Sequence, residues 1–307
     1  MGVLTVSLFE FLKSVDSFFF DYTISTTFLS YFRILVTSFI LIDFIYLRKD
    51  ILSHITPEGL YPFKNYIKKY KEGIFFPYSL FSISQLGKSK LFSYIIYYLF
   101  YVFAAASVLG VFTKFSMVGL FITYACIQNR AITIWSTAGD QVIKLLLLCL
   151  IFTDCSAKFS IDYLLNAAQP ENYSNGWSIR FFQVYLSWIY FNAGVAKSKD
   201  PLWQNGEGLK YAALNPGWGN NLKNIKSKFL RESVYTFFNS KFAKIINYAI
   251  MLMQFCAPLF LWLKDTRLIY LLILASFHLG ILVFLRLNNF GPLMIVSLFS
   301  FLDYLFK

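Results

Sequence analysis

The chain has 307 residues, of which 57% are hydrophobic and 14% charged, whereas an ordinary soluble domain is about a quarter charged. So little polar surface cannot enclose a soluble core, and lipid is the expected solvent. The net charge of +12 lies largely in lysine blocks between apolar runs, which points to anionic headgroups and away from nucleic acid.

Residues 1–27 lack the basic start of a cleavable signal and set Glu10, Lys13, Asp16 and Asp21 among Leu8, Phe9, Phe11 and Phe18. They are expected to form an N-terminal interfacial helix that leads into a transmembrane domain over 28–307. Crossing the hydrocarbon core takes about 20 mostly apolar residues, because each backbone amide there needs an internal partner. The runs 28–47, 91–112, 115–134, 179–196, 243–263 and 268–286 meet that requirement, and the shorter runs 141–153 and 290–306 suit sheltered spans. The expected fold is therefore all-α, a polytopic transmembrane helical bundle of about eight spans.

Two long connections, 48–90 and 197–242, carry most of the Lys and Arg residues. The positive-inside rule would place both in the cytoplasm. They also contain Tyr61, Phe63, Tyr66, Phe75, Phe76, Trp203, Tyr211 and Trp218, which suits re-entrant or interfacial pieces lining a cavity.

An ionisable group at the centre of a span costs at least about 2.5–3.5 kcal/mol, so each one calls for pairing, water or function. Arg33 and Asp43 share the first run but stand about 15 Å apart along a helix, too far to pair. Asp140, Gln141 and Lys144 open the fourth, where Asp140 and Lys144 have the spacing of one helical face. They read either as an ion pair at the membrane edge or as a polar patch facing a cavity. His278 lies mid-run in Phe277-His278-Leu279-Gly280, followed by Arg286 and Asn288, and reads either as a packing residue or as part of a site. Lys197 and Lys199 close the fifth run, before Asp200-Pro201-Leu202-Trp203. They either snorkel to the interface or supply a desolvated general base. Two histidines and four cysteines without a Cys-x-x-Cys pair give no basis for a metal site.

Taken in order, Phe32-Arg33, Asp43, Thr153-Asp154, Phe159-Ser160-Ile161-Asp162, Ala193-Gly194-Val195 with its lysines, Trp203-Gln204-Asn205-Gly206 and Phe277-His278 resemble the landmarks of one family. It is that of the horizontally transferred transmembrane (HTTM) domain proteins, whose best-known member is the vitamin K-dependent gamma-carboxylase. The resemblance implies an enzyme that deprotonates reduced vitamin K or another quinol. Oxygen then turns the quinol into a strong base, and a glutamate side chain takes up carbon dioxide. Counting forward from Ala193-Gly194-Val195 puts the lysine base at Lys197, and counting back from Trp203 puts it at Lys199; Lys197 is the expected base. His278 is the accompanying catalytic candidate, and Arg33, Asp140, Gln141 and Trp203 are candidates for binding the quinol. Where the carboxylase has Asn-His, this chain reads Ala138-Gly139, with Asp140 and Gln141 beside it. The carboxylase also keeps its site on the lumenal face, opposite to the side that the charge rule gives. A second reading is a non-catalytic membrane partner in the maturation or export of a secreted peptide toxin, acting with a small companion protein.

Overall fold

A computed structural model describes residues 2–59, 89–131, 138–165, 171–215, 217, 219, 225–285, 287 and 289–306. Tyr61, Phe63, Tyr66, Phe75, Phe76, Trp218, Arg286 and Asn288 lie outside the described residues. The chain is an all-α membrane protein whose described strands are β1 (Thr23–Ser25) and β2 (Tyr173–Asn175), paired antiparallel with Ile24 opposite Ser174. It divides into two compact units, one up to Phe182 together with Asp303 onward, the other Gln183–Leu302.

The first unit holds α1 (Gly2–Phe20), α2 (Thr26–Tyr46), α3 (Arg48–Ile55), α4 (Lys90–Leu109), α5 (Thr113–Ala131), α6 (Ala138–Ile151) and α7 (Ile161–Leu165). Helix α4 packs between α2 and α5, and α5 also packs on α6. The inward face of α2 buries Phe28, Phe32, Val36, Ile40 and Phe44 at helical spacing, while Ile42 and Ile45 face outward. Phe44 stacks on Phe100 of α4 with ring centroids 4.0 Å apart. Gly119 lets α5 approach α4 closely, since a Cβ there would stand 2.6 Å from the Phe103 ring.

The second unit takes up α8 (Trp177–Lys199) from Gln183 on, then α9 (Pro201–Gln204), α10 (Gly208–Leu214), α11 (Lys228–Phe238), α12 (Lys241–Phe260), α13 (Lys264–Phe284) and α14 (Phe290–Leu298). A 3₁₀ stretch, Phe299–Phe306, closes the chain. Ser227 and Ser240 cap α11 and α12 through their side chains. On α11, Phe238 packs with Ala213 while Phe229, Leu230 and Tyr235 are exposed.

Among the described residues, four helices are long and apolar enough to cross a membrane: α2, α4, α12 and α13. The described part of the run 115–134 lies in α5 and the run 179–196 in α8, both long helices, but neither is among those four. The reason is compositional. α5 buries Ser116, Thr123, Gln128, Asn129 and Arg130, and α8 buries Gln183 and Ser187, so both trade apolar character for internal polar contacts.

Candidate functional site

The candidate residues fall into one cluster in each unit and a structural knot in the first. Arg33 is the centre of the knot. Its side chain is 0% exposed, and Nε donates to the Cys155 carbonyl at 3.0 Å. Nη1 donates to the carbonyls of Ser107 at 2.7 Å and Val108 at 3.2 Å, and Nη2 to that of Phe159 at 2.6 Å. Ser107 and Val108 end α4, so the guanidinium meets carbonyls that a helix terminus leaves without intrahelical partners, at the negative end of its dipole. The sharp bends that deliver these carbonyls use positive φ at Gly110 (70°) and Phe159 (48°). Arg33, Phe159, Ser160 and Asp162, scattered in sequence, thus converge on one structural junction.

Asp162 completes the junction from α7. Its Oδ1 accepts from the Phe112 amide at 2.8 Å, and its Oδ2 accepts from the Thr113 amide and hydroxyl, each at 2.7 Å. Partial burial works to raise this carboxyl, but these hydrogen bonds and the Arg33 charge outweigh it and hold it below its ordinary value of 3.8. The folded carboxylate therefore binds its proton less readily than the unfolded one. Its contribution to stability is whole above the unfolded value and is lost as pH falls through the lower folded value. Asp162→Asn should flatten that acid limb, which thermal unfolding of both proteins at a series of acidic pH values would read. An unchanged limb would remove Asp162 from the account.

The second group is built on α5 and α6. Asp140, 3% exposed in the first turn of α6, accepts at Oδ1 from the Tyr124 hydroxyl at 3.1 Å and from Gln128 Nε2 at 2.9 Å. Gln128 Nε2 also donates to Tyr124 at 3.2 Å. Gln141 and Lys144 are half-buried on the same helix. The sequence spacing indicated Lys144 but gave no hint of Tyr124 and Gln128, which α5 brings in from a separate run.

The third group lies on α8. Gln183, Ser187, Tyr190, Gly194 and Lys197 repeat at intervals of four and three residues, so they share one face of the helix. Gln183 Nε2 donates to the Ser300 carbonyl at 2.6 Å, and Ser187 Oγ accepts from Trp262 Nε1 at 3.1 Å. The Tyr190 hydroxyl lies 2.8 Å from His278 Nε2 on α13. Gly194 abuts Phe255, where a Cβ would stand 3.0 Å from the backbone nitrogen. Read as a repeat, this seam was available from the sequence. Hydropathy alone hides it.

At the end of the seam the two lysines part company. Lys199 is exposed, while Lys197 is half-buried with its ammonium 5.0 Å from the centre of the Trp203 ring. No carboxylate among the described residues pairs with Lys197. Trp203 is held firmly. Asn247 Nδ2 donates to its carbonyl at 2.9 Å, and a Cβ at Gly208 would stand 2.4 Å from the indole. The preceding turn is set by Asp200, which caps α9 by accepting from the Leu202 amide at 2.8 Å, with Pro201 at the first helical position. An amine is thereby presented against a fixed aromatic plane, an arrangement able to exchange a proton with a flat, weakly acidic molecule.

Compared with known proteins, the chain matches the family model described as HTTM domain over residues 22–304. No curated protein and no solved structure matches it.

Proposed function

The chain belongs to the HTTM domain family, and on that premise we propose that it is a multi-pass membrane enzyme in which Lys197 takes a proton from a quinol. The observation that carries the reading is the difference between the two lysines: Lys197 is half-buried against Trp203 and Lys199 stands in the open. The residues present suit a quinol in kind, with an amine to receive the proton and a rigid aromatic wall beside it. A bound quinol supplies, together with oxygen, the strong base that lets a glutamate side chain of a peptide take up carbon dioxide. Lys197 acts as its neutral amine, receiving the proton at Nζ, and the resulting ammonium is then held over the indole. Trp203 excludes water from one side of that nitrogen. The peptide acceptor comes directly from the membrane surface or with a companion protein.

The test is epoxide formation from a reduced naphthoquinone and oxygen by the purified full chain. Lys197→Ala should lower the rate at least ~100-fold, the range in which a general base contributes. Lys199→Ala should stay within about twofold, as a solvent-exposed group outside the proton transfer would. Equal loss in both variants would sink the assignment of the base. Absence of epoxide from folded parent protein would favour the non-catalytic partner in peptide toxin maturation or export. That second reading has its own support: Ala138-Gly139 stands where the carboxylase has Asn-His, and the neighbouring Asp140 is already hydrogen-bonded to Tyr124 and Gln128.

A further inference from the structure

Tyr190 and His278 are 2% and 1% exposed, and their 2.8 Å contact uses only Nε2 of the imidazole. His278 Nδ1 is buried and meets no hydrogen-bond partner among the described residues. A neutral imidazole carries one N–H and one bare nitrogen. With the proton on Nε2, the ring would donate to Tyr190, leaving both the phenol O–H and the bare Nδ1 to find partners. With Tyr190 donating to Nε2, the proton sits on Nδ1, and that N–H alone is left over. The second arrangement leaves fewer buried polar groups unmet, and it turns His278 into a donor that seeks an acceptor.

The surroundings say what kind of molecule brings that acceptor. Phe277 lies beside the imidazole at 5.1 Å and Phe290 at 5.8 Å between ring centroids, and the outer face of α13 is apolar, with Leu272, Leu279 and Val283 exposed. Such a setting favours an oxygen carried on an aromatic, lipid-soluble body.

We propose that Tyr190 is a positioning residue that fixes His278 as its Nδ1–H tautomer, and that this N–H binds a ring oxygen of a quinone-class ligand. The choice of ligand class rests on the quinol reading above; the tautomer does not.

The chain contains only two histidines, so His54→Gln leaves His278 as the sole imidazole. Imidazole nitrogen resonances of that full chain, labelled at histidine and held in lipid nanodiscs, should show a protonated Nδ1 and a bare Nε2. Oxidised dimethylnaphthoquinone should shift the Nδ1–H signal, whereas dimethylnaphthalene, which has the same rings without oxygens, should not. Tyr190→Phe should redistribute the proton between the nitrogens and weaken naphthoquinone binding about fivefold, the share of one hydrogen bond, with the melting profile confirming that the variant is folded. A proton on Nε2 in the parent overturns the tautomer, and equal responses to the two probes overturn the ligand. Epoxide formation without the Nδ1 shift would sink this inference alone. The shift without epoxide would sink only the catalytic reading.

Discussion

Arg33→Met should leave a protein that barely folds. Methionine keeps much of the apolar stem but none of the donors, so the carbonyls of Cys155, Ser107, Val108 and Phe159 all lose their shared partner. Each buried carbonyl left unmet costs about 1–3 kcal/mol, and breaking a buried charged network costs roughly 3–5 kcal/mol in total. That is comparable with the whole stability of many folded domains, about 5–15 kcal/mol. Arg33→Lys should recover only part of the loss, because an ammonium on a flexible stem cannot reproduce the planar fork that reaches four carbonyls on two chain segments. Thermal unfolding in detergent, with the yield of monodisperse protein as a second reading, would decide it. A methionine variant melting within a few degrees of the parent would show that the junction is dispensable.

Gly110→Ala should damage the same junction from the other side. The residue ends α4 with φ of 70°, a region that costs a residue bearing Cβ about 1–2 kcal/mol. Space is the larger obstacle, since the new Cβ would stand 2.3 Å from Ser160 Cβ and 2.6 Å from Arg33 Nη1. Strain and overpacking together should cost about 3 kcal/mol or more. The Gly110→Ala/Arg33→Met pair should lose clearly less than the sum of the single losses, because one junction cannot be broken twice. Additive losses in the melting series would mean that the two residues act separately.

Much of this architecture can be read from the sequence. Runs of apolar residues mark α2, α4, α12 and α13, because a helix that meets lipid must declare itself in composition. Arg33, Asp140 and His278 stand out for the same reason, as costly groups in apolar surroundings. Their partners do not stand out. Arg33 is satisfied entirely by backbone carbonyls, which every residue possesses and no side-chain pattern reveals. Tyr190 lies 88 positions from His278 and looks like one more aromatic among 21 tyrosines. The β1–β2 pair is three residues long on each side, too short for alternation to register. The spacing of Asp140 and Lys144 is real, but it cannot disclose that Tyr124 and Gln128 approach the carboxylate from α5. Counting along the sequence favours Lys197 from one landmark and Lys199 from the other, but the difference in exposure between the two lysines is not legible there, because it depends on where α9 places Trp203.

The seam on α8 bears on how the chain is made. The helix has 23 residues, long enough to cross, yet it falls short of the apolar character of the four most lipid-like helices. Its polar groups are answered by Trp262, His278 and Ser300, all of which leave the ribosome after it. A nascent chain that has emerged only to the end of α8 therefore exposes Gln183, Ser187 and Tyr190 with their partners still unsynthesised. The order of synthesis therefore sets when the seam can close: its contacts form only once the C-terminal third of the chain has arrived.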